Sequence, residues 1–298
     1  MKMNELICVW DAKAELGEGP VWHPEEQALY WVDIIQSNLH RFRFDRQGKE
    51  YQHSWHFSGQ LSSVVPAKRG GLLATFDTGV FHISLNTQKK TPIQLIEQDI
   101  TNNRFNDGCC DTHGNYWFGS MDTNQTNETG SFYRLNNNGK LNNLPKLGQC
   151  AITNGPTFSQ DGKYIYFTNT LAKTIFQGCL DNKNDISNIQ AFIQFGEDDG
   201  HPDGMCVDTE GFLWVCHYGA GKVSRFNRQG ESVKTIKLPV PNVTKCCFGG
   251  NTLNTLFITT AINGMSKAEQ ADYPLSGGLF SIDIEQQGFV FPSCALSR

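Results

Sequence analysis

Short apolar stretches alternate with polar turns along the whole chain, and the pattern recurs at a nearly constant interval. Each copy starts with a polar residue, continues through a small residue and an apolar pair, and then adds a polar turn and an apolar strand. The copies begin at six polar residues, which we call the ring residues: Glu18, Ser62, Asp107, Asn154, Asp203 and Thr244. The intervals between them are 44, 45, 47, 49 and 41 residues. A period of about 40 to 50 residues with four short strands per copy is typical of a β-propeller.

The repeat therefore predicts an all-β fold, a six-bladed β-propeller formed by one domain over residues 1–298. No sustained 3.6-residue pattern competes with this interpretation. The strand-like segment from Leu6 to Trp10 precedes the first copy, and we expect it to close the propeller by joining the last blade. Residues 262–276 form an insertion in that blade, and the sequence assigns no role to it.

Composition and charge exclude several classes of function. The chain has 25 Lys and Arg against 30 Asp and Glu, a net charge of −5, and no basic run exceeds two residues. A phosphate-binding surface for nucleic acid is therefore not expected. The apolar runs are too short for a membrane helix, and the first residues lack the apolar segment of a signal peptide. We expect a cytoplasmic protein that is a monomer or a weak homodimer.

The ten cysteines do not follow the spacing of a zinc site or of a redox motif. No Cys-x-x-Cys occurs, although Cys109 and Cys110 are adjacent, as are Cys246 and Cys247. Neighbouring residues of a strand point to opposite faces, so adjacent cysteines rarely bond to each other. We expect free thiols that pack as small apolar side chains.

The ring residues suggest a metal site. Equivalent positions of a propeller surround its central channel, and three of the six ring residues are acidic. Carboxylates that face one channel mouth repel each other, and a bound cation relieves that repulsion. Oxygen donors suit a hard divalent ion such as Ca²⁺, Mg²⁺ or Mn²⁺. The pattern predicts a divalent metal at the mouth of the central channel. The alternative is that these Asp-Gly and Asn-Gly pairs are ordinary turns.

Several longer motifs carry a family resemblance that runs over nearly the whole chain. These motifs are ELGEGPVW at 15–22, NRFNDG at 103–108, GNYWFGSM at 114–121, NGP at 154–156 and PDGMCVD at 202–208. In this order and at this spacing, the chain resembles the SMP-30/gluconolactonase/LRE family. The resemblance implies a six-bladed propeller with one divalent metal.

The resemblance also implies a ligand set for the metal. Glu18, Asn154 and Asp203 match the protein ligands of the family, and all three are ring residues. The donor types favour Ca²⁺, whereas Zn²⁺, Mg²⁺, Mn²⁺ and Fe²⁺ stay open as alternatives, because family members with different metals are known.

The same resemblance assigns the substrate contacts. Arg104 and Asn106 match the positions that bind the sugar, although the repeat selects Asp107 as the ring residue of that blade. We expect Asn106 to contact the substrate and Asp107 to hold the loop. Asn124 stands where relatives carry a glutamate, and either Asp122 or Asn124 is a candidate for contact with sugar hydroxyls.

The expected activity is metal-dependent hydrolysis of a sugar (aldono)lactone, with D-glucono-1,5-lactone as the leading substrate. In this hypothesis the metal polarises the lactone carbonyl, and Asp203 is the general base for the attacking water. His201, two residues before Asp203, is a further candidate for the pocket lining. The alternatives are hydrolysis of organophosphate or other esters on the same fold, and a non-enzymatic calcium-binding regulator.

Overall fold

The fold consists of six four-stranded antiparallel sheets, which are the blades of a six-bladed β-propeller. The computed structural model describes residues 5–44 and 48–296. The predicted all-β class and the number of blades are confirmed. The described residues include one short α-helix, α1 (Lys267–Asp272), and two 3-10 turns, Pro145–Leu147 and Glu197–Asp199. None of the helices described has the length and apolarity needed to cross a membrane.

The chain divides into two compact units, each of which contains three sheets. The first unit comprises the residues up to Ser58 together with Phe195–Val290. Its first sheet contains β2 (Gly17–His23), β3 (Ala28–Asp33), β4 (Asn38–Phe44) and β5 (Glu50–His56). Its second sheet contains β18 (His201–Val207), β19 (Leu213–Tyr218), β20 (Lys222–Phe226) and β21 (Ser232–Lys237). Its third sheet contains β22 (Val243–Gly249), β23 (Thr255–Thr260), β24 (Leu279–Asp283) and β1 (Ile7–Trp10).

The N-terminal strand completes that third sheet. Strand β1 pairs antiparallel with β24, so the sheet takes its fourth strand from the start of the chain. The second unit comprises Gly59–Gln194 and the residues from Phe291 onward. Its sheets run from β6 to β17 in chain order, four strands to a sheet. The strands are β6 (Ser63–Pro66), β7 (Leu72–Phe76), β8 (Gly79–Ser84), β9 (Lys89–Leu95), β10 (Asn103–Cys110), β11 (Tyr116–Asp122), β12 (Phe132–Leu135), β13 (Leu141–Asn143), β14 (Thr153–Phe158), β15 (Tyr164–Asn169), β16 (Thr174–Leu180) and β17 (Ile186–Gln194).

A repeated turn motif, Asp-x-x-Gly-x-x-Trp, joins the first two strands of one sheet in each unit. The indole Nε1 of Trp117 donates to Asp111 Oδ2 at 2.8 Å, and that of Trp214 donates to Asp208 Oδ2 at 2.9 Å. The glycine between them has a positive φ in both turns, which suits a residue without a Cβ. Both indoles are fully buried. The motif therefore buries a large ring and satisfies its donor at the same time.

Candidate functional site

The first strand of five of the six sheets is interrupted near its ring residue. In each case one extra residue interrupts the pairing with the second strand. The interruptions fall between Glu18 and Val21, Phe105 and Gly108, Asn154 and Thr157, Pro202 and Met205, and Val243 and Cys246. A β-bulge of this kind bends a strand and redirects a side chain, and bulges are common beside functional sites. Glu18 and Asn154 are the last paired residues before their bulges. Asp107, Asp203 and Thr244 lie within theirs, so five of the six ring residues sit where regular pairing stops.

In the first unit, two predicted metal ligands share one electrostatic environment. Glu18 and Asp203 are both buried, with 5% and 8% of their surface exposed. Burial raises the pKa of Tyr218 to about 12, and the negative charges of Asp203 and Glu18 add to the shift. The Tyr218 hydroxyl donates to the carbonyl oxygen of Asn263 at 2.7 Å. The two carboxylates therefore act on the same hydroxyl, although they belong to different sheets.

This environment fits a divalent cation. Two buried carboxylates that act on one hydroxyl repel each other, and a bound cation offsets that repulsion. Carboxylate oxygens are the donors that hard ions such as Ca²⁺ prefer. Within residues 5–44 and 48–296, no three His, Cys, Asp or Glu side chains form a metal-binding group. Amide oxygens, such as that of Asn154, are a further type of donor for hard ions.

Lys245 is a buried residue of this region that the sequence did not single out. Only 6% of its surface is exposed. A Cβ added to Gly204 would lie 2.4 to 2.8 Å from the Lys245 side chain, so position 204 accepts no side chain without rearrangement. The neighbouring Thr244 donates its hydroxyl to the carbonyl oxygen of Gly17 at 2.6 Å. Strand β22 thus reaches the residues directly beside Glu18 and Asp203.

In the second unit, the remaining predicted ligand is part of an amide network. Asn106 Nδ2 donates to Asn154 Oδ1 at 3.0 Å and to the carbonyl oxygen of Thr153 at 2.8 Å. Arg104 Nη1 donates to Asn106 Oδ1 at 2.8 Å, and Asn154 Nδ2 donates to Thr170 Oγ1 at 2.8 Å. A carbonyl oxygen has two lone pairs, so Asn154 Oδ1 keeps acceptor capacity beyond the bond from Asn106. The structure therefore brings Arg104, Asn106 and Asn154 together.

Asp107 has a different role from its neighbour Asn106. Its carboxylate accepts the backbone N–H of Gly108 at 2.6 Å and that of Gly155 at 2.9 Å. Gly155 directly follows Asn154, and Asp107 is 2% exposed. Asp107 thus fixes the backbone beside the predicted ligand, while Asn106 makes the side-chain contact.

Asp122 and Asn124 differ in exposure. The Asp122 carboxylate is fully buried and accepts backbone N–H groups from Asn124, Thr126 and Asn127 at 2.8 to 3.1 Å. These hydrogen bonds lower the pKa of Asp122 to about 2, and the bond from Asn127 has the largest effect. Asn124 is exposed. Asp122 therefore organises this loop, and Asn124 is the residue of the two that presents a side chain to solvent.

His217 is a structural histidine of the first unit. His217 is buried, stacks on Phe195 at a centroid distance of 4.3 Å, and its Nδ1 lies 2.8 Å from the carbonyl oxygen of Asp199. Burial lowers the pKa of His217 to about 4, so the ring is neutral at physiological pH. His201 is half-buried at the start of β18, two residues before Asp203.

The insertion at 262–276 is anchored next to Tyr218. The carbonyl oxygen of Asn263 accepts from Tyr218 Oη and from Asn242 Nδ2, and the Asn263 N–H donates to the carbonyl oxygen of Glu15. Helix α1 follows with a capping box between Ser266 and Glu269. Neither Tyr218 nor Asn263 was predicted as a site residue, because each belongs to an element other than the repeated first strand.

The protein is thus a six-bladed propeller in which buried carboxylate and amide side chains lie beside β-bulges in the first strands of the blades. A family model described as the SMP-30/gluconolactonase/LRE-like region matches residues 16–262. The chain belongs to the SMP-30/gluconolactonase/LRE-like family, as the motifs predicted.

Individual relatives cover nearly the whole chain. YvrE of Bacillus subtilis, a proposed sugar lactone lactonase, is 33% identical over 96% of this chain and 97% of its own length. Regucalcin of Gallus gallus is 32% identical, with 95% of each chain covered. The crystal structure of regucalcin from Agrobacterium tumefaciens, described as a calcium-binding protein, is similar with a TM-score of 0.88, 26% identity and 95% of each chain covered.

Proposed function

We propose that this protein hydrolyses a sugar lactone to the corresponding aldonic acid. The proposal rests on the buried carboxylates Glu18 and Asp203, whose charges both act on the Tyr218 hydroxyl. Membership of a family that is named for gluconolactonase, and the similarity to YvrE, support the same reaction. D-glucono-1,5-lactone is the first substrate to test, and pentonolactones and galactonolactone are the next.

In this proposal, Glu18, Asn154 and Asp203 would hold one divalent ion, for which Ca²⁺ is the first candidate and Zn²⁺, Mg²⁺, Mn²⁺ and Fe²⁺ are alternatives. When bound, such an ion supplies a Lewis acid that polarises a carbonyl oxygen. The oxygen donors support a hard ion, and so does the similarity to a regucalcin described as calcium-binding.

Asp203 is the proposed general base. Its carboxylate accepts a proton from water as the water oxygen bonds to the lactone carbonyl carbon. The bond between that carbon and the ring oxygen then breaks, and the ring oxygen takes up the proton to become a hydroxyl. One water is consumed and one hydroxy acid is formed. The buried position of Asp203 strengthens its electrostatic interactions during this step.

Arg104 and Asn106 are proposed to orient the sugar. The bond from Arg104 Nη1 to Asn106 Oδ1 fixes both side chains before substrate binds, which lowers the entropy cost of binding. A guanidinium carries five N–H donors in a fixed planar arrangement, and such donors suit the hydroxyl groups of a sugar ring. Asn124, exposed on the loop that Asp122 organises, is the proposed outer contact.

A second candidate function is calcium binding without catalytic turnover. It is favoured by the similarity to the Agrobacterium tumefaciens protein, which is described as calcium-binding. Both functions require the same carboxylates, so only turnover separates them.

The test is a proton-release assay on metal-stripped protein with D-glucono-1,5-lactone. Ca²⁺, Mg²⁺, Mn²⁺, Zn²⁺ and Fe²⁺ are added singly, and the spontaneous hydrolysis of the lactone is subtracted. We expect at least one ion to restore catalysis, and the ranking of the ions identifies the cofactor. If no sugar lactone is hydrolysed with any ion, the lactonase proposal is wrong. Turnover of a phosphotriester would then favour an esterase, and ion binding alone would favour the calcium-binding function.

A further inference from the structure

Three cysteine thiols lie together in the core of the first unit. Cys206 is on β18, Cys216 is on β19, and Cys246 is on β22. The Sγ atoms of Cys206 and Cys246 are 3.6 Å apart, and the Cys216 thiol also hydrogen-bonds to Cys246. Cys216 and Cys246 are fully buried, whereas Cys206 is partly exposed. Cys206 is therefore the most accessible of the three cysteines to a reagent in solution.

The sulfur atoms of Cys206 and Cys246 are in non-bonded contact. An S–S bond is about 2.05 Å long, so the two sulfurs need to approach by roughly 1.5 Å. Both side chains already point toward each other from first strands of adjacent sheets in one unit. The adjacent Cys247 packs instead against a separate apolar cluster that contains Phe257 and Trp22.

We propose that Cys206 and Cys246 form a peroxide-sensitive thiol pair, which hydrogen peroxide converts to a disulfide between β18 and β22. The bond would link the strand that carries Asp203 to the strand that carries Thr244. This site is independent of the proposed lactonase activity, because its chemistry uses neither substrate nor metal.

The reaction balances with hydrogen peroxide as the oxidant. The thiolate of Cys206 attacks one peroxide oxygen, the O–O bond breaks, and the products are a sulfenic acid and water. The sulfur of Cys246 then attacks the sulfur of that sulfenic acid, the S–O bond breaks, and a second water leaves. The two thiols lose two electrons and two protons in total, and one peroxide is reduced to two waters.

Cys246 is suited to the second step. Burial opposes ionisation of its thiol, yet hydrogen bonds from Cys206 and Cys216 and the positive charge of Lys245 lower its pKa. Burial raises the pKa of Cys206 and of Cys216. The first step is therefore slow, and in the second step the Cys216 thiol and the charge of Lys245 still favour ionisation of Cys246.

A second thiol pair serves as an internal comparison. Cys110 on β10 hydrogen-bonds to Cys294 in the second unit. Both are buried, with 4% and 1% of their surface exposed. Because neither thiol is accessible, we expect this pair to react with peroxide after the Cys206–Cys246 pair.

To test this proposal, the 298-residue protein is treated with hydrogen peroxide and the remaining free thiols are blocked. The protein is then digested without reduction, and the peptides are identified by mass spectrometry. Combined tryptic and chymotryptic digestion separates Cys206 from Cys216, because Phe212, Leu213 and Trp214 lie between them. We expect a linked peptide that joins the Cys206 segment to the Cys246 segment, with the loss of two free thiols. Reduction with dithiothreitol should restore both thiols.

The matched variants are Cys246→Ser and Cys247→Ser. The first should abolish the linked peptide, and the second should retain it, although the two positions are adjacent. If Cys246→Ser does not fold, the linked peptide of the Cys247→Ser protein still assigns the bond to Cys246. Irreversible oxidation of Cys206 without a cross-link would overturn the proposal, and so would a cross-link that starts at Cys110 or uses Cys247.

Discussion

The two units of this propeller differ in the chemistry of their candidate site residues. The first unit presents carboxylates, Glu18 and Asp203, whose charges add to the effect of burial in raising the pKa of Tyr218. The second unit presents a neutral network in which Arg104, Asn106 and Asn154 are joined by direct hydrogen bonds. The carboxylates are the proposed ligands of a cation, whereas the amide network is ordered by its own hydrogen bonds. Substitutions should therefore affect chemistry in the first unit and binding geometry in the second.

The largest effect is expected for Asp203→Asn. This change keeps the shape and one oxygen donor but removes the proton acceptor, so kcat should fall by about 10²- to 10⁴-fold. The measurement is lactone turnover at saturating metal, with a thermal melt to show that the fold is retained. Asp198→Asn, at an exposed carboxylate of the same unit, is the matched control and should keep full activity. Wild-type turnover by Asp203→Asn contradicts the assignment.

Acid should weaken the first unit before the second. Burial lowers the pKa of His40 and of His217 from 6.5 to about 4, so each contributes stability above pH 6.5 that is lost as the pH falls toward 4. The loss is up to about 3 kcal/mol for each histidine. In the second unit, the pKa of Asp122 is lowered from 3.8 to about 2, so its contribution is lost only below about pH 4.

Hydrogen exchange at pH 4.5 and pH 7, corrected for the intrinsic exchange rate, measures this difference strand by strand. Protection should fall first in β4 and β19, where these histidines lie. His217→Gln should reduce the acid sensitivity, whereas His113→Gln, at an exposed histidine of the second unit, should leave it unchanged. Equal loss of protection in both units would contradict the prediction.

Arg104→Ala should weaken substrate binding and leave the metal in place. The variant loses a charged hydrogen bond, which is worth about 1.5 to 3 kcal/mol, so KM should rise by roughly tenfold to a hundredfold with a smaller change in kcat. Steady-state kinetics and elemental analysis of the same sample check both parts. A variant that loses its metal would show that Arg104 supports the ligands instead.

Asp107→Ala should destabilise the protein. It leaves the buried N–H groups of Gly108 and Gly155 without this acceptor, at a cost of about 1 to 3 kcal/mol. Urea unfolding measures the free-energy change. Asp107→Asn keeps one acceptor oxygen and should lose less stability. A neutral effect of Asp107→Ala would mean that water replaces the carboxylate.

Asn106 and Asp107 also mark the limit of what the sequence could predict. The repeat alone predicted six blades, because hydrophobic periodicity and turn residues report directly on strands. It also aligned Glu18, Asn154 and Asp203, but Glu18 and Asn154 are each the last paired residue before a bulge, whereas Asp203 lies one residue further along its strand. The repeat could not show whether Asn106 or Asp107 makes the side-chain contact with Asn154, because both residues lie within a bulge of β10. One extra residue in a strand reverses which side chain faces the neighbouring sheet, and periodicity does not show it.

Tyr218 and Lys245 were missed for a different reason. They approach the predicted ligands through packing between sheets, and neither belongs to a motif whose spacing indicates that contact. The choice between Asp122 and Asn124 likewise required the backbone bonds of their loop, which make Asp122 structural.

The smallest effect is expected for Asn124→Glu, which introduces the residue that the family resemblance leads us to expect at this place. Asn124 is exposed, so the added charge acts through solvent and should change the ratio of kcat/KM between two sugar lactones by about fivefold or less. Competition assays with D-glucono-1,5-lactone and galactonolactone measure this ratio. Thermal stability should stay unchanged, and a large stability loss would show that Asn124 is structural.

We propose above all that the buried carboxylates of the first unit bind a divalent cation. The most direct test is equilibrium dialysis of metal-stripped protein against Ca²⁺, Mg²⁺, Mn²⁺, Zn²⁺ or Fe²⁺, followed by elemental analysis, for the wild type and for Glu18→Gln. We predict one ion per chain in the wild type with the preferred metal and a large loss of binding in Glu18→Gln. No uptake of any ion by the wild type, or full retention by Glu18→Gln, would contradict the claim.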